Sequence, residues 1–228
     1  MRILLIAGLW LDGSAWTDVV EPLETAGHEV VPLTLPGQGD GSATASLDEQ
    51  VATVLTAVDS APDKVVVVGH SAAASLAWMA VDARPERVSF VILIGGFPSA
   101  DGERYADLFS IHDGAMSFPG WESFDGADSA DLDVEARSRF ASAAIPVPEG
   151  VAKGVVRLTD ERRFDVAVVL VCPEFSPAQA QEWIDAGEVP ELSRVKHLDL
   201  VDIDSGHWPM LTRPRELADI LIAAASQN

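Results

Sequence analysis

Short apolar runs of about five to eight residues, rich in Val, Ile and Leu, recur along the whole chain. They span Arg2 to Ala7, His28 to Leu33, Lys64 to Gly69, Val88 to Gly95, Val166 to Cys172 and His197 to Ile203. Apolar positions in most of these runs are nearly continuous rather than alternating, which is typical of parallel strands covered on both faces. The pattern therefore predicts a mainly parallel six-stranded sheet.

Amphipathic segments lie between these runs and predict crossover helices. Val19 and Leu23 share one helical face, and Val54 and Val58 share another in the next segment. The second segment opens on Ser-Leu-Asp-Glu, a capping-box spacing, so we expect a helix that starts near Ser46. Alternating strands and helices predict an α/β fold with helices on both faces and a site at the carboxyl ends of the strands.

The segment from about Phe97 to Arg163 departs from this alternation. Gly, Ser, Asp and aromatic residues mix there with weak helical patterns, and no strand pattern is visible. We interpret it as a small cap inserted between two strands. A chain of 228 residues does not require a second domain, so we expect one domain over residues 1–228 with a cap at about 97–163.

Charge and cysteine content narrow the possible partners. With 36 acidic and 15 basic side chains the formal net charge is −21, which repels nucleic acids and anionic membrane surfaces, so we expect neither as a partner. The single cysteine, Cys172, excludes an intramolecular disulfide and a CxxC metal site. We therefore predict a cytoplasmic protein without a bound metal, and we interpret Cys172 as a small core residue.

The sharpest local signal is a serine between a buried strand and a helix. Four valines and Gly69 precede His70 and Ser71, and small residues follow. A serine on such a strand-to-helix turn projects its hydroxyl from the sheet, and this pattern predicts a nucleophile. Helix capping by Ser71 is the structural alternative.

A serine nucleophile needs a base with a pKa near 7, and histidine supplies one. His207 lies in a Gly-His-Trp-Pro loop after the last predicted strand, at the same edge of the sheet as Ser71. His28 and His197 begin strands at the opposite end of the sheet. His70 neighbours the serine, and its side chain should point away from it, in a packing or a substrate-lining role.

Four segments together resemble the α/β-hydrolase superfamily, and the resemblance is closest to its short esterase and hydroxynitrile-lyase-like branch. They are Ile6 to Trp10, Leu35 to Gly39, Gly69 to Ala73 and Gly206 to Pro209. The resemblance implies an α/β-hydrolase fold and an oxyanion hole made by the backbone amides of Leu9 and Ala72. Two positions differ from the family pattern, since Ala7 replaces a histidine and Ala73 replaces the last glycine of GxSxG.

The resemblance places the acid of the triad in the turn after the penultimate strand, where Glu174 is the carboxylate. Asp101, which follows the strand Val88 to Gly95 by several residues, is the competitor, and Glu103 lies nearby. Glu174 has the shorter turn and the longer side chain, so we predict that it orients His207. A charge at a helix start is its structural alternative.

Aromatic residues predict how the site is covered. Trp10 and Trp208 flank the oxyanion loop and the base, so we expect both to line the substrate pocket. The cap aromatic residues either cover an apolar substrate or form the cap's own core; they are Phe97, Phe109, Phe118, Trp121, Phe124 and Phe140.

These observations predict a serine hydrolase that cleaves an ester, a thioester or a lactone through an acyl-enzyme on Ser71, without a cofactor. The expected substrate is a small molecule, apolar or aromatic. Two alternatives share the scaffold. One is a hydroxynitrile-lyase-like enzyme that uses the same Ser71 and His207 for proton transfer, and the other is a binding protein of the hydrolase fold that has lost catalysis.

Overall fold

The structure is a computed structural model that describes residues 1–227. The described residues form eight strands, in chain order β1 (Arg2–Ile6), β2 (Glu29–Leu33), β3 (Val65–His70), β4 (Val88–Ile94), β5 (Ala115–Met116), β6 (Val147–Pro148), β7 (Ala167–Cys172) and β8 (Leu198–Asp202). Six of them match the apolar runs of the sequence, with bounds that differ by at most one residue at either end. The prediction of six sheet strands is confirmed.

The main sheet has the strand order β2-β1-β3-β4-β7-β8, and every neighbouring pair is parallel. Strands β1 and β3 are paired in register from Arg2 with Val65 to Ile6 with Gly69. All six carboxyl ends therefore lie at one edge of the sheet. Because β1, β3, β4, β7 and β8 follow one another in this order, the loops after these strands can meet there.

Helices cover both faces of the sheet, as predicted. They are α1 (Thr17–Thr25), α2 (Leu47–Asp59), α3 (Ala73–Ala83), α4 (Val134–Ala143), α5 (Glu149–Ala152), α6 (Pro177–Asp185), α7 (Pro209–Thr212) and α8 (Pro214–Gln227). Helix α2 begins after Ser46, whose side chain forms a capping box with Glu49, which confirms the predicted start. No helix within the described residues is long and apolar enough to cross a membrane.

Alternate residues of each strand enter two separate cores. Leu4, Val67 and Leu93 pack with α2, α3 and α6 on one face, whereas Leu5 and Val68 pack with α1 and α8 on the other. Continuous apolar strands are needed because both faces are covered. The two cores hold the sheet rigid, so the loops at its carboxyl edge start from well-defined positions.

The region between β4 and β7 contains α4 and α5, short 3-10 turns and little other regular structure. The expectation that it holds no strand is wrong in one respect, because β5 and β6 form a two-residue antiparallel pair. This pair was invisible in the sequence since strands this short carry no periodicity. We call residues 97–163 the cap.

Candidate active site

Ser71 follows β3 in a strained turn. Its φ of 55° lies in the left-handed region, which is unfavourable for a residue with a Cβ. The Ser71 amide donates to the carbonyl of Ile94 on the neighbouring strand at 2.8 Å, and the Ser71 carbonyl accepts from Ala74 in the first turn of α3. Strand and helix thus hold the turn from both sides. Such strain is found at functional sites, where surrounding structure imposes it.

The glycine on the strand side of this turn is required by close packing. A Cβ on Gly69 would lie 2.4 Å from the carbonyl oxygen of Ala73, a distance that van der Waals contact does not allow. Ala73 itself is fully buried, and its methyl group is accommodated. The departure from GxSxG at Ala73 therefore leaves the turn intact.

Three side chains from three separate loops form a hydrogen-bonded series. His207 Nε2 lies 2.8 Å from Ser71 Oγ, and His207 Nδ1 lies 2.7 Å from Glu174 Oε1. An ionised carboxylate only accepts, so Nδ1 carries the ring proton of a neutral imidazole and Nε2 is left to accept from the serine hydroxyl. The side chains of His207 and Glu174 retain 13% and 14% of their exposure, so both are mostly shielded from water.

The competing carboxylates are used elsewhere. Asp101 Oδ1 accepts a hydrogen bond from the amide of Leu158 at 2.8 Å, and Glu103 Oε2 accepts from the amide of Ala100 at 2.8 Å. Both brace the start of the cap. Of the carboxylates weighed from the sequence, the structure brings Glu174 to His207.

The two backbone amides expected in an oxyanion hole belong to Leu9 and Ala72. Among the hydrogen bonds within residues 1–227, none has either amide as its donor. Gly8 brings the first loop against the serine, because a Cβ on Gly8 would lie 3.0 Å from the Cβ of Ser71. Ala72 directly follows Ser71 at the start of α3, where helix amides have no intrahelical partner.

His70 is buried, with 1% of its surface exposed. Its Nε2 donates to the main-chain carbonyl of His207 at 2.7 Å, and its ring centroid lies 5.0 Å from that of His207. Burial and the neighbouring His207 lower the pKa of His70 to about 3. Of the two roles open to His70, this contact corresponds to packing.

Two cap aspartates hold the loop that carries His207, and the sequence reasoning missed both. The amide of His207 donates to the carbonyl of Asp128 at 2.8 Å, and the amide of Gly206 donates to Asp131 Oδ2 at 2.9 Å. Burial and the nearby Glu174 carboxylate raise the pKa of the Asp128 carboxyl. Asp128 and Asp131 lie in a stretch rich in aspartate, and no spacing distinguishes them from their neighbours.

Trp10 and Trp208 belong to one continuous aromatic cluster that spans the cap. Ring centroids of successive members lie 5.1 to 6.0 Å apart, in mostly tilted or edge-on geometry. The cluster comprises Trp10, Phe109, Phe118, Trp121, Phe124, Phe140 and Trp208. Phe97 is separate, stacks on Phe175 and packs edge-on against Trp183. Five of the six cap aromatic residues therefore form the cap's core, together with Trp10 and Trp208 at the edge of the site.

Trp208 and Trp10 differ in their surroundings. Trp208 is 2% exposed and packs edge-on against the His207 ring at 4.9 Å between centroids. Trp10 borders a cleft of about 460 Å³ with Phe140, Arg139 and Met210, and a second, narrow cavity that Gly8 and Leu9 also line. Contact of Trp208 with a substrate stays a prediction.

The remaining chemistry-bearing groups do not suggest another centre. Cys172 is buried at the end of β7, and burial raises the pKa of its thiol to about 12, as suits a core residue. Within residues 1–227, no group of three His, Cys, Asp or Glu side chains is placed to hold a metal ion.

Comparison with known proteins shows that the chain matches a known family. Residues 3–220 match the family model described as the alpha/beta hydrolase family. The chain is 27% identical over 115 residues to a chloroplastic protein of Arabidopsis thaliana classed as a methylesterase, covering 48% of this chain and 33% of the relative. The match thus spans about a third of that relative's length. Methylesterase 7 of the same plant is 24% identical over 260 residues, covering 99% of this chain and 96% of that protein.

Solved structures agree on the fold. An extracellular alpha/beta-hydrolase from a Paenibacillus species superposes with a TM-score of 0.78 at 17% identity, covering 98% of both chains. At this identity the likeness concerns the fold alone.

Proposed function

Because the chain belongs to the alpha/beta hydrolase family, we propose that it is a serine hydrolase that cleaves a carboxylic ester, a thioester or a lactone. One observation carries the proposal, namely the two short hydrogen bonds that join His207 to Glu174 and to Ser71. In this proposal Ser71 is the nucleophile, His207 the general base and Glu174 the group that orients it. The naming of sequence relatives as methylesterases supports an ester-cleaving reaction.

The chemistry follows from the proton positions. Ser71 Oγ attacks the substrate carbonyl carbon while its proton passes to His207 Nε2, and the carbonyl oxygen becomes an oxyanion. The imidazolium then returns the proton to the leaving oxygen or sulfur as that bond breaks, which leaves an acyl group on Ser71. Water repeats the sequence and releases the acid. Glu174 stabilises the imidazolium that forms in each half of the reaction.

The oxyanion requires donors that are already in place. We assign this role to the amides of Leu9 and Ala72, which have no protein acceptor among the described residues and flank Ser71. Preorganised backbone donors of this kind typically contribute about 2.7 to 4 kcal/mol each to the transition state. They depend on main-chain position only, so Ala7 in place of the usual histidine does not remove them.

The substrate is proposed to be a small molecule with an apolar or aromatic group. The narrow cavity beside the oxyanion-loop residues Gly8 and Leu9 supports this, since the apolar or aromatic side chains of Trp10, Tyr105 and Val147 also line it. Pockets for small molecules are typically apolar with a few polar groups. We further propose that residues 1–228 act as one domain in which the cap, residues 97–163, closes over the bound substrate.

A reducing compartment remains the proposed location, and the buried Cys172 is compatible with it. The first relative is described as chloroplastic and the Paenibacillus structure as extracellular, so relatives differ in location. Fractionation of the native host, with detection of this chain in each fraction, tests the cytoplasmic assignment.

Labelling with a fluorophosphonate tests the function directly. We expect one adduct per chain on Ser71 by intact-mass and peptide analysis, and none in Ser71→Ala. Hydrolysis of nitrophenyl esters of increasing acyl length should be lost in the same variant, by on the order of 10⁴-fold or more. A wild-type protein that neither labels nor turns over would contradict the proposal and favour a binding role.

The covalent intermediate distinguishes a hydrolase from the lyase alternative. Mixing enzyme with a slow nitrophenyl ester and quenching in acid should trap the acyl group on Ser71, as hydrolysis requires. Cleavage of cyanohydrins without any acyl-enzyme would identify a lyase.

A further inference from the structure

Trp10 has an unusual backbone conformation next to the proposed oxyanion donor. Its φ of 64° lies in the left-handed region, where glycine or asparagine is normal and a bulky residue is an outlier. Gly8 and Leu11 close the turn around it through a hydrogen bond from the Leu11 amide to the Gly8 carbonyl at 3.4 Å. Leu9 and Trp10 are therefore the two central residues of this turn.

A conformation of this kind costs about 1 to 3 kcal/mol and persists only where other contacts impose it. The cap supplies three kinds of contact to Trp10. Its carbonyl accepts from the amide of Ile145 at 2.9 Å, and its indole Nε1 donates to the carbonyl of Met116 at 3.2 Å. Its ring lies 5.4 to 5.8 Å from the rings of Phe109, Phe118 and Phe124. With 5% of its surface exposed, the side chain is enclosed by these contacts.

On the other side of the turn, Gly8 packs against Ser71, and the amide of Leu9 has no protein acceptor among the described residues. The turn thus lies between the cap and the nucleophile. A shift of Trp10 would move the adjacent residue Leu9 and its amide, because the hydrogen bond from Leu11 to Gly8 closes one tight turn around both residues. Oxyanion donors act over 2.7 to about 3.1 Å, so small shifts of the turn matter.

We propose that Trp10 is a positioning residue through which the cap holds the turn that presents the Leu9 amide to the oxyanion. This inference rests on the proposed function and adds that the cap is part of the catalytic arrangement as well as a cover. A tryptophan that only filled the aromatic cluster would affect stability and substrate affinity. A tryptophan that positions the donor affects the stabilisation of the oxyanion itself.

The test compares two ketone inhibitors of equal shape. A trifluoromethyl ketone adds Ser71 Oγ to its carbonyl carbon, its oxygen becomes an oxyanion, and the serine proton passes to His207. The matching methyl ketone binds without substantial addition. The ratio of the two inhibition constants therefore reports the oxyanion hole, while general loosening of the pocket affects both inhibitors.

Trp10→Gly is the principal variant, because glycine accepts a φ of 64° without strain but lacks all side-chain contacts. We expect its inhibition ratio to fall by on the order of 10-fold to 100-fold, with kcat reduced more than KM changes. Trp10→Phe keeps a ring but loses the bond to Met116, and it should show a smaller fall of the ratio. Trp121→Gly is the control, since Trp121 belongs to the same aromatic cluster and bonds to Arg137 rather than to the oxyanion turn.

Labelling of the wild type with the fluorophosphonate comes first, so that failure of the proposed function is recognised separately. Given a labelled wild type, an unchanged ratio in Trp10→Gly overturns the inference, as does an equal fall in Trp121→Gly. If Trp10→Gly does not fold by circular dichroism, Trp10→Phe decides, and a ratio equal to that of the wild type overturns the inference.

Discussion

His70 donates a hydrogen bond from its Nε2 to the main-chain carbonyl of His207, over 2.7 Å and across 137 positions of sequence. A carbonyl oxygen only accepts, so the proton of His70 must reside on Nε2. Its Nδ1 is buried and has no hydrogen-bond partner among residues 1–227. His70, which precedes the proposed nucleophile Ser71, therefore holds the backbone of the proposed base, His207. The neutral form of the His70 ring fits this environment.

This arrangement predicts a pH dependence of stability. Burial lowers the pKa of His70 from 6.5 to about 3, so the unfolded chain binds a proton on this ring more readily than the folded one. Stability contributed by the neutral ring is complete above pH 6.5 and is lost as the pH falls toward 3, by at most about 1.4 kcal/mol per pH unit.

His70→Gln checks that dependence, because glutamine can still donate a hydrogen bond but does not titrate. Urea unfolding at a series of pH values from 7 to 4 should show a steeper acid loss for the wild type than for the variant. Carboxylates contribute equally to both proteins and cancel in the difference. Parallel curves would mean that His70 becomes protonated in the folded protein.

Neutral isosteres separate the two carboxylates that the sequence left in competition. Glu174→Gln removes the charge beside His207 and should lower turnover by on the order of 10² to 10⁴, with the melting temperature largely kept. Asp101→Asn should leave turnover near the wild-type value, since Asp101 accepts from Leu158 in the cap. The reverse pattern in steady-state kinetics would transfer the acid role to Asp101.

The loop that carries His207 should depend on the cap through Asp131. Asp131→Ala removes the acceptor of the Gly206 amide and frees the loop, so we expect kcat to fall on the order of 10-fold to 100-fold with little change in KM. Asp131→Asn keeps a carbonyl oxygen at that position and should restore most of kcat. Equal losses in both variants would indicate that the charge of Asp131, rather than its hydrogen bond, is needed.

A buried ionic cluster under α3 should contribute strongly to the free energy of unfolding without affecting catalysis. Arg163 pairs with Glu191 at 2.9 Å and with Asp82 at 3.2 Å, and all three side chains are at most 6% exposed. Arg163→Met leaves two buried carboxylates unpaired and should cost about 3 to 5 kcal/mol. Arg162→Met is the matched control, because its ion pair with Asp160 is exposed and an exposed pair contributes little to stability. Urea midpoints that fall equally in both variants would contradict this account.

The sequence alone determined the architecture. Continuous apolar runs specify parallel strands covered on both faces, and the capping box before Leu47 specifies where α2 starts. These features are local, because they depend on which faces of a short segment are buried. The placement of Ser71 after β3 and of His207 after β8 at one sheet edge follows from the parallel order of the strands.

Tertiary structure decided the contacts that join distant segments. Whether Glu174 or Asp101 reaches His207 depends on where each loop ends in space, and no local pattern encodes that. The left-handed conformation of Trp10, which opposes its own backbone preference, is held by contacts with Met116 and Ile145, more than 100 positions away. Asp128 and Asp131 likewise acquire their role only when the cap packs on the last loop. The local sequence pattern thus specifies the helices and strands, whereas tertiary packing decides which of several chemically equivalent side chains reaches the site.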